Sequence, residues 1–203
     1  MTGLAHSADT LLPGFSNPVH DAQRCFRSVL DAMARPASRR TLPEPAGVPD
    51  GWTPALTALA LALFDQDTPV WLDPAVAGQQ AEAHLRFHCG CPLTDRKDRA
   101  AFAVIADMEN APPLHAFPIG EPQYPERSVT LIFAIESLTG GTALRWQGPG
   151  IKGSMQAEPK GLPAGFIRQW ADNHALYPSG VDVILTAGSQ VMCLPRSISI
   201  EEA

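Results

Sequence analysis

Val129-Thr130-Leu131-Ile132-Phe133-Ala134-Ile135-Glu136 is the stretch that decides the fold. It is apolar apart from Thr130 and the closing glutamate, rich in β-branched residues, and short for a helix. A strand with no polar face needs cover on both sides, so it sits centrally in a sheet. Thr139-Gly140-Gly141-Thr142 follows as a turn, and Ala143 to Gln147 reads as its hairpin partner. Toward the N-terminus, Ala101 to Ala106 is a second short buried strand and Thr68 to Leu72 a third. Toward the C-terminus, residues 151–157 can give a further strand. Val181 to Thr186 and Gln190 to Leu194 are two more, joined by Ala187-Gly188-Ser189.

Helices fill the gaps. Pro18 opens one, with Asp21 in the first turn, where a negative charge suits the helix dipole. Ala22, Cys25, Phe26, Val29, Leu30 and Met33 share one face of it, Arg24, Arg27, Asp31 and Arg35 lie elsewhere, and Pro36 ends it. Thr53-Pro54 is an N-cap followed by proline at the first helical position. Residues 55–64 are nearly all apolar, which predicts a helix buried on most sides. Asp73-Pro74 starts a third helix that runs to about His88, and Leu162-Pro163 a fourth with Phe166, Ile167 and Trp170 on one face. Residues 107–126, with five prolines and a glycine, read as a long loop suited to function or partner contact. The order predicts an α/β protein, a three-layer sandwich with a mixed sheet. Residues 1–16 read as a loose N-terminal tail and 17–203 as a single α/β domain.

A net charge of −6 argues against a nucleic-acid binder, yet twelve arginines leave room for a small anionic ligand. Cys25 and Cys193 lie in apolar settings and read as core residues, not as a disulfide framework. No basic start with an apolar run marks a signal peptide, and no stretch reaches the length of a membrane span. The cytoplasm is the expected compartment.

The motifs carry little chemistry. His84 and His88 share a helix face four residues apart and Cys89 and Cys91 follow, but the Cys-x-Cys spacing is too tight for a zinc site and no second cluster exists. No metal is expected. Gly148-Pro149-Gly150 lacks the lysine and hydroxyl of a phosphate loop and reads as a turn between strands. Ser179 and Ser189 sit in no nucleophile elbow. Asp65 and Asp67 read as a polar turn. Asp182 opens an apolar strand and needs a partner, for which an arginine is the natural choice. His88, Glu126 and Asp182 are the candidate substrate-binding or acid–base residues, with no catalytic residue assigned.

Several islands, each unremarkable alone, are informative in order and spacing. They are Asn17 to Arg27, Asp65 to Leu72, Leu85-Arg86-Phe87-His88, Tyr124-Pro125-Glu126, Gly148 to Ile151, Pro178 to Asp182 and Leu194-Pro195-Arg196. Together they resemble the H subunit family of the bacterial carbon–phosphorus lyase core complex, over nearly the whole chain. Cys89 and Cys91 depart from it, standing where small or hydroxylic residues are usual, as does Ser179, where a basic residue is common. The resemblance implies work in phosphonate breakdown beside G, I and J subunits. That assembly joins an alkylphosphonate to the ribose of ATP with displacement of adenine, before the J subunit, with its iron–sulfur cluster, cleaves the carbon–phosphorus bond. It further implies a fold similar to pyridoxal-phosphate-dependent transferases without the cofactor. None of Lys97, Lys152 and Lys160 follows a buried strand as a sheltered Schiff-base lysine would. A structural or accessory role with no activity of its own is therefore expected. A homodimer is expected for the isolated chain, through apolar surface around Phe117 and Tyr124. The alternative is an independent enzyme that uses His88, Asp182 and arginines on a phosphate or phosphonate.

Overall fold

Helix α1 (Pro18–Ala34) begins with a reciprocal cap in this computed structural model, which describes residues 11–203. The Asn17 side chain accepts from the His20 N–H at 3.3 Å, and Asp21 reaches back to accept the Asn17 N–H at 3.0 Å. Asp21, Cys25, Val29 and Ala32 face inward. Phe26 and Leu30, expected on that face, are instead 51% and 58% exposed. The apolar arc of the helix is wider than the strip that the sheet and neighbouring helix cover, and these two stand on its outer flank. α2 (Pro54–Leu63) starts at Thr53, whose hydroxyl accepts the Leu56 N–H at 3.2 Å, and Ala55 to Ala60 are all buried. α3 (Gln79–His88) starts later than Asp73. The Asp73 carboxylate accepts the Ala75 N–H and holds residues 73–76 as a turn, so the helix waits for Gly78.

These helices cover one face of a six-stranded sheet. Its members are β1 (Arg39–Thr41), β2 (Val70–Leu72), β3 (Phe102–Ile105), β6 (Thr130–Ala134), β9 (Asp182–Ala187) and β10 (Gln190–Leu194), in the order β1-β10-β9-β6-β3-β2. β2, β3, β6 and β9 are parallel, while β10 and β1 pair antiparallel. The sheet is thus mixed, as expected. The side-chain period of two sorts the strands between two cores. Val104, Ile132, Ile184 and Cys193 join Cys25, Leu56 and Leu85 of the helices. Ile105, Leu131, Phe133, Val183 and Leu194 join the opposite layer.

That second layer holds α4 (Phe166–Ala175) and a small sheet of β7 (Leu144–Gln147), β8 (Met155–Ala157) and β11 (Ser199–Glu202), ordered β11-β7-β8. Trp170 of α4 is fully buried and donates its indole N–H to the Ile198 carbonyl at 2.8 Å. The expected hairpin between β6 and 143–147 does not form. Both edges of β6 are taken by β3 and β9, so the 139–142 turn carries the chain off the sheet to a new pairing. Residues 107–126 are also more ordered than a loop: they hold a single helical turn at 114–116 and the hairpin of β4 (Ile119–Glu121) with β5 (Tyr124–Ser128). Phe117 is 3% exposed within this segment and is core, not surface. Residues 1–10 of the expected tail lie outside the described residues. Residues 11–16 run against the helical layer, with Phe15 buried and the Gly14 carbonyl accepting the Ala46 N–H.

Candidate functional site

Parallel α/β sheets usually bind ligands beyond the C-terminal ends of their strands. Here that edge of β2 and β3 is occupied by the protein's own carboxylate. Asp73 is buried, and its second oxygen accepts the N–H groups of Ala106 and Asp107 at 3.1 and 2.8 Å. It is a structural acid that pins the strand ends. Farther along, past the end of β6, lies a cleft of about 1050 Å³. Leu144, Phe166, Ile167 and Ile200 form its floor, and Lys160, on its rim, is bonded to Glu136 at 2.6 Å. It is mostly apolar, with few convergent polar groups.

The polar chemistry gathers at the opposite edge. Asp182 opens β9 and meets Arg196, the last residue of the Leu194-Pro195-Arg196 motif. One carboxylate oxygen accepts both the Arg196 backbone N–H at 2.8 Å and Nε at 3.1 Å, and the other accepts Nη2. Both side chains are mostly buried, at 22% and 13% exposure. The guanidinium does more than pair: Nη1 donates to the Pro125 carbonyl at 2.9 Å and Nη2 to the Ser128 hydroxyl. Arg196 therefore ties β9 to both ends of residues 125–128 in β5. The expectation that Asp182 pairs with an arginine is correct. The charge of Asp182 is also felt nearby: the Cys193 thiol is pushed up by its own burial first and by this carboxylate second.

Beside this brace is a cleft of about 320 Å³, lined by Asp98, Arg99, Ala100, Ala101, Pro118, Glu126, Arg127 and Ser128. Glu126, expected in a long loop, stands in strand β5 and lines this cleft. Arg127 lies over the Tyr124 ring at 4.1 Å. Glu126 and Asp182 are thus brought to one region, through Arg196 and Ser128.

His88 is elsewhere. It ends α3, and its Nε2 is bonded to the Leu12 carbonyl at 2.9 Å. His84 packs against it with ring centroids 4.4 Å apart, 1% exposed, and neither ring nitrogen has a partner among the described residues. Burial holds the His84 pKa down at about 4, and a charge on His88 pushes the same way. Cys89 donates its thiol to the Ala60 carbonyl at 3.4 Å, and Cys91 is buried. The Cys89 thiol is raised by its hydrogen bond to Cys91 and by burial, whereas Cys91 is lowered by that same hydrogen bond. No group of three or more His, Cys, Asp or Glu side chains able to hold a metal ion occurs among the described residues. Asp65 and Asp67 form the expected turn, with the Asp67 N–H on the Asp65 carboxylate at 3.0 Å. Lys97 is half-buried above Trp71, and Lys152 and Lys160 are exposed.

Sequence reasoning missed Ser128, Arg99 and Arg127 as neighbours. Their only signal was position, since 98–101 and 126–128 lie just before strands β3 and β6.

Comparison with known proteins gives a consistent picture. The family model described as "Bacterial phosphonate metabolism protein (PhnH)" matches residues 13–201. The chain is 43% identical over 187 residues to the "Alpha-D-ribose 1-methylphosphonate 5-triphosphate synthase subunit PhnH" of Rhizobium meliloti (strain 1021), spanning 92% of this chain and 94% of that protein. It is 34% identical over 179 residues to HtxG of Stutzerimonas stutzeri, a provisionally named C-P lyase subunit protein, spanning 88% of this chain and 85% of that one.

Proposed function

This chain belongs to the bacterial phosphonate metabolism protein (PhnH) family, and we propose that it serves as the H subunit of a carbon–phosphorus lyase core complex. The observation that carries the reading is the 43% identity spanning 92% of this chain and 94% of a ribose methylphosphonate triphosphate synthase subunit. In that role the chain works beside G, I and J subunits, in the step that couples an alkylphosphonate to the ribose of ATP before the carbon–phosphorus bond is cleaved. Cytoplasmic placement goes with this partnership. Among the described residues, no helix is long and apolar enough to cross a membrane.

The subunit contributes assembly, not acid–base chemistry. What supports this is where its candidates point. An acid or base must have a free atom within reach of the reacting group. His88 spends Nε2 on the Leu12 carbonyl, and both Asp182 oxygens are held by Arg196. Glu126 is exposed, and no ion pair among the described residues holds its carboxylate in place for proton transfer. The fold is of the pyridoxal-phosphate transferase kind without the cofactor, a reading in keeping with lysines that are exposed or stacked on Trp71. Alone, the chain pairs with a second copy. Phe117 cannot serve that contact, being core. The exposed Val19, Phe26 and Leu30 of α1, with Tyr124, remain.

The test is growth on methylphosphonate as sole phosphorus source in cells lacking their own H subunit, with a pull-down of the other subunits. Restored growth with co-purification of the other subunits is expected. A chain that is abundant and folded yet restores neither growth nor assembly overturns the assignment. A variant that assembles normally but abolishes growth overturns the accessory role alone.

A further inference from the structure

We propose that the cleft between the 98–101 segment and β5 is a binding site for a small acid phosphate or phosphonate, one that still carries a P–OH. The proposal stands on the cleft's geometry and does not depend on the family reading.

Two arginines border this space. Arg99 and Arg127 both line it, and neither makes a salt bridge among the described residues. Arg127 is preorganised: one face of its guanidinium rests on the Tyr124 ring at 4.1 Å, which leaves its edge N–H donors free. Planar donor forks of this kind match the oxygens of a tetrahedral phosphoryl group. The negative charge at Asp98 is already answered by two bonds from Arg96, at 3.1 and 2.5 Å.

Ser128 supplies a directed donor. Its residue is 9% exposed, and its oxygen already accepts from Arg196 Nη2. A hydroxyl that accepts from a guanidinium, which has no acceptor of its own, must aim its hydrogen elsewhere. Ser128 lines the cleft, so the cleft is where a partner for that hydrogen would sit. The brace from Asp182 through Arg196 holds this hydroxyl in place.

Glu126 sets the protonation state. The residue lines the same cleft, and its carboxylate has no ion-pair partner among the described residues. It would repel a fully ionised ligand, but it can accept a hydrogen bond from a P–OH. Two arginines and a serine for the ionised oxygens, and one carboxylate for the protonated oxygen, together select a monoprotonated phosphoryl group over sulfate, which has no proton to give at neutral pH. The volume of about 320 Å³ is at the small end of ligand pockets.

The test uses the full chain at low salt. Titrations with inorganic phosphate, methylphosphonate and sulfate are followed by calorimetry at two pH values either side of the last ionisation of the phosphorus acid. Phosphate and methylphosphonate should bind, more weakly at the higher pH, and sulfate at least about tenfold more weakly than either. R99Q and R127Q should each weaken phosphate by about tenfold or more, the loss of a charge-assisted bond. R168Q, on the rim of the large groove, should leave binding unchanged and keep the parent's melting temperature. If phosphate outbinds methylphosphonate by more than tenfold, the ligand is the free anion; the reverse order assigns the organic acid. Absence of binding, equal binding of sulfate, or binding untouched by R99Q and R127Q each overturns the proposal.

Discussion

Replacing Arg196 by methionine tests the brace at the edge of the sheet. The change keeps the aliphatic stem and the backbone N–H that donates to Asp182, and removes the two side-chain bonds to the carboxylate with those to Pro125 and Ser128. Breaking a buried ion pair from one side costs about 3–5 kcal/mol, because the remaining charge is left without compensation. The Asp182 side chain is 22% exposed and keeps one backbone donor, so the lower end applies, about 3 kcal/mol. For a domain of this size that is a fall in Tm of about 6–12 °C. Asp182→Ala should destabilise similarly, stranding the guanidinium with Pro125 and Ser128. If the two act as a pair, the double variant is less destabilised than the sum of the singles by about 1–3 kcal/mol. Urea and thermal unfolding of all four chains give the cycle. An Arg196→Met chain within about 1 °C of the parent, or strict additivity, would show that the contact is incidental.

The other expectations concern protonation, packing and chemistry. The His84 pKa is lowered from 6.5 to about 4, so the unfolded chain binds a proton below pH 6.5 that the folded chain refuses. Stability is full above that value and falls as pH drops toward 4, by about 3 kcal/mol; urea midpoints of H84L should lose that part of the slope, and an unchanged slope refutes the assignment. Trp170→Ala should cost about 3–5 kcal/mol by emptying the second core and orphaning the Ile198 carbonyl, read as a drop in urea midpoint. Gly150→Ala places a Cβ 2.2 Å from the Ala34 carbonyl at φ +86, so it should destabilise by more than about 1 kcal/mol; a Tm equal to the parent's would show that the turn can shift freely. His88→Ala should leave substantial growth on methylphosphonate, since a general acid or base would be missed at about 10²–10⁴-fold in rate.

The central strands were legible because Val129–Ile135 and Val181–Leu185 have no polar face to present to water. Thr53 was legible as a cap for a local reason too: its side chain reaches only its own first turn. The partner of residues 143–147 was not. A Gly-Gly turn says that the chain reverses but not whether the strand before it still has a free edge, and β6 has none. Phe26 and Leu30 misled because helical spacing gives the width of an apolar arc, not how much of it a neighbour covers. Asp182 announced its need for a partner, yet nothing local to Arg196, Ser128 or Arg127 says that three distant segments meet there.

The pairing of β1 with β10 has a consequence for the order in which the molecule can be completed. Thr41 sits beside Gln190, and Arg39 beside Met192. During synthesis, the edge strand has no mate until β10 follows it, with Gln190 149 positions after Thr41. The β9–β10 hairpin, by contrast, closes over two residues. The β9–β10 hairpin is therefore the one that seats β1, and the sheet closes late. Contacts so distant in sequence slow folding, and meanwhile α1 lacks the β10 surface it packs on. A nascent chain stalled before residue 190 should be a client for chaperones, and shortening the C-terminus past that point should abolish accumulation instead of trimming it.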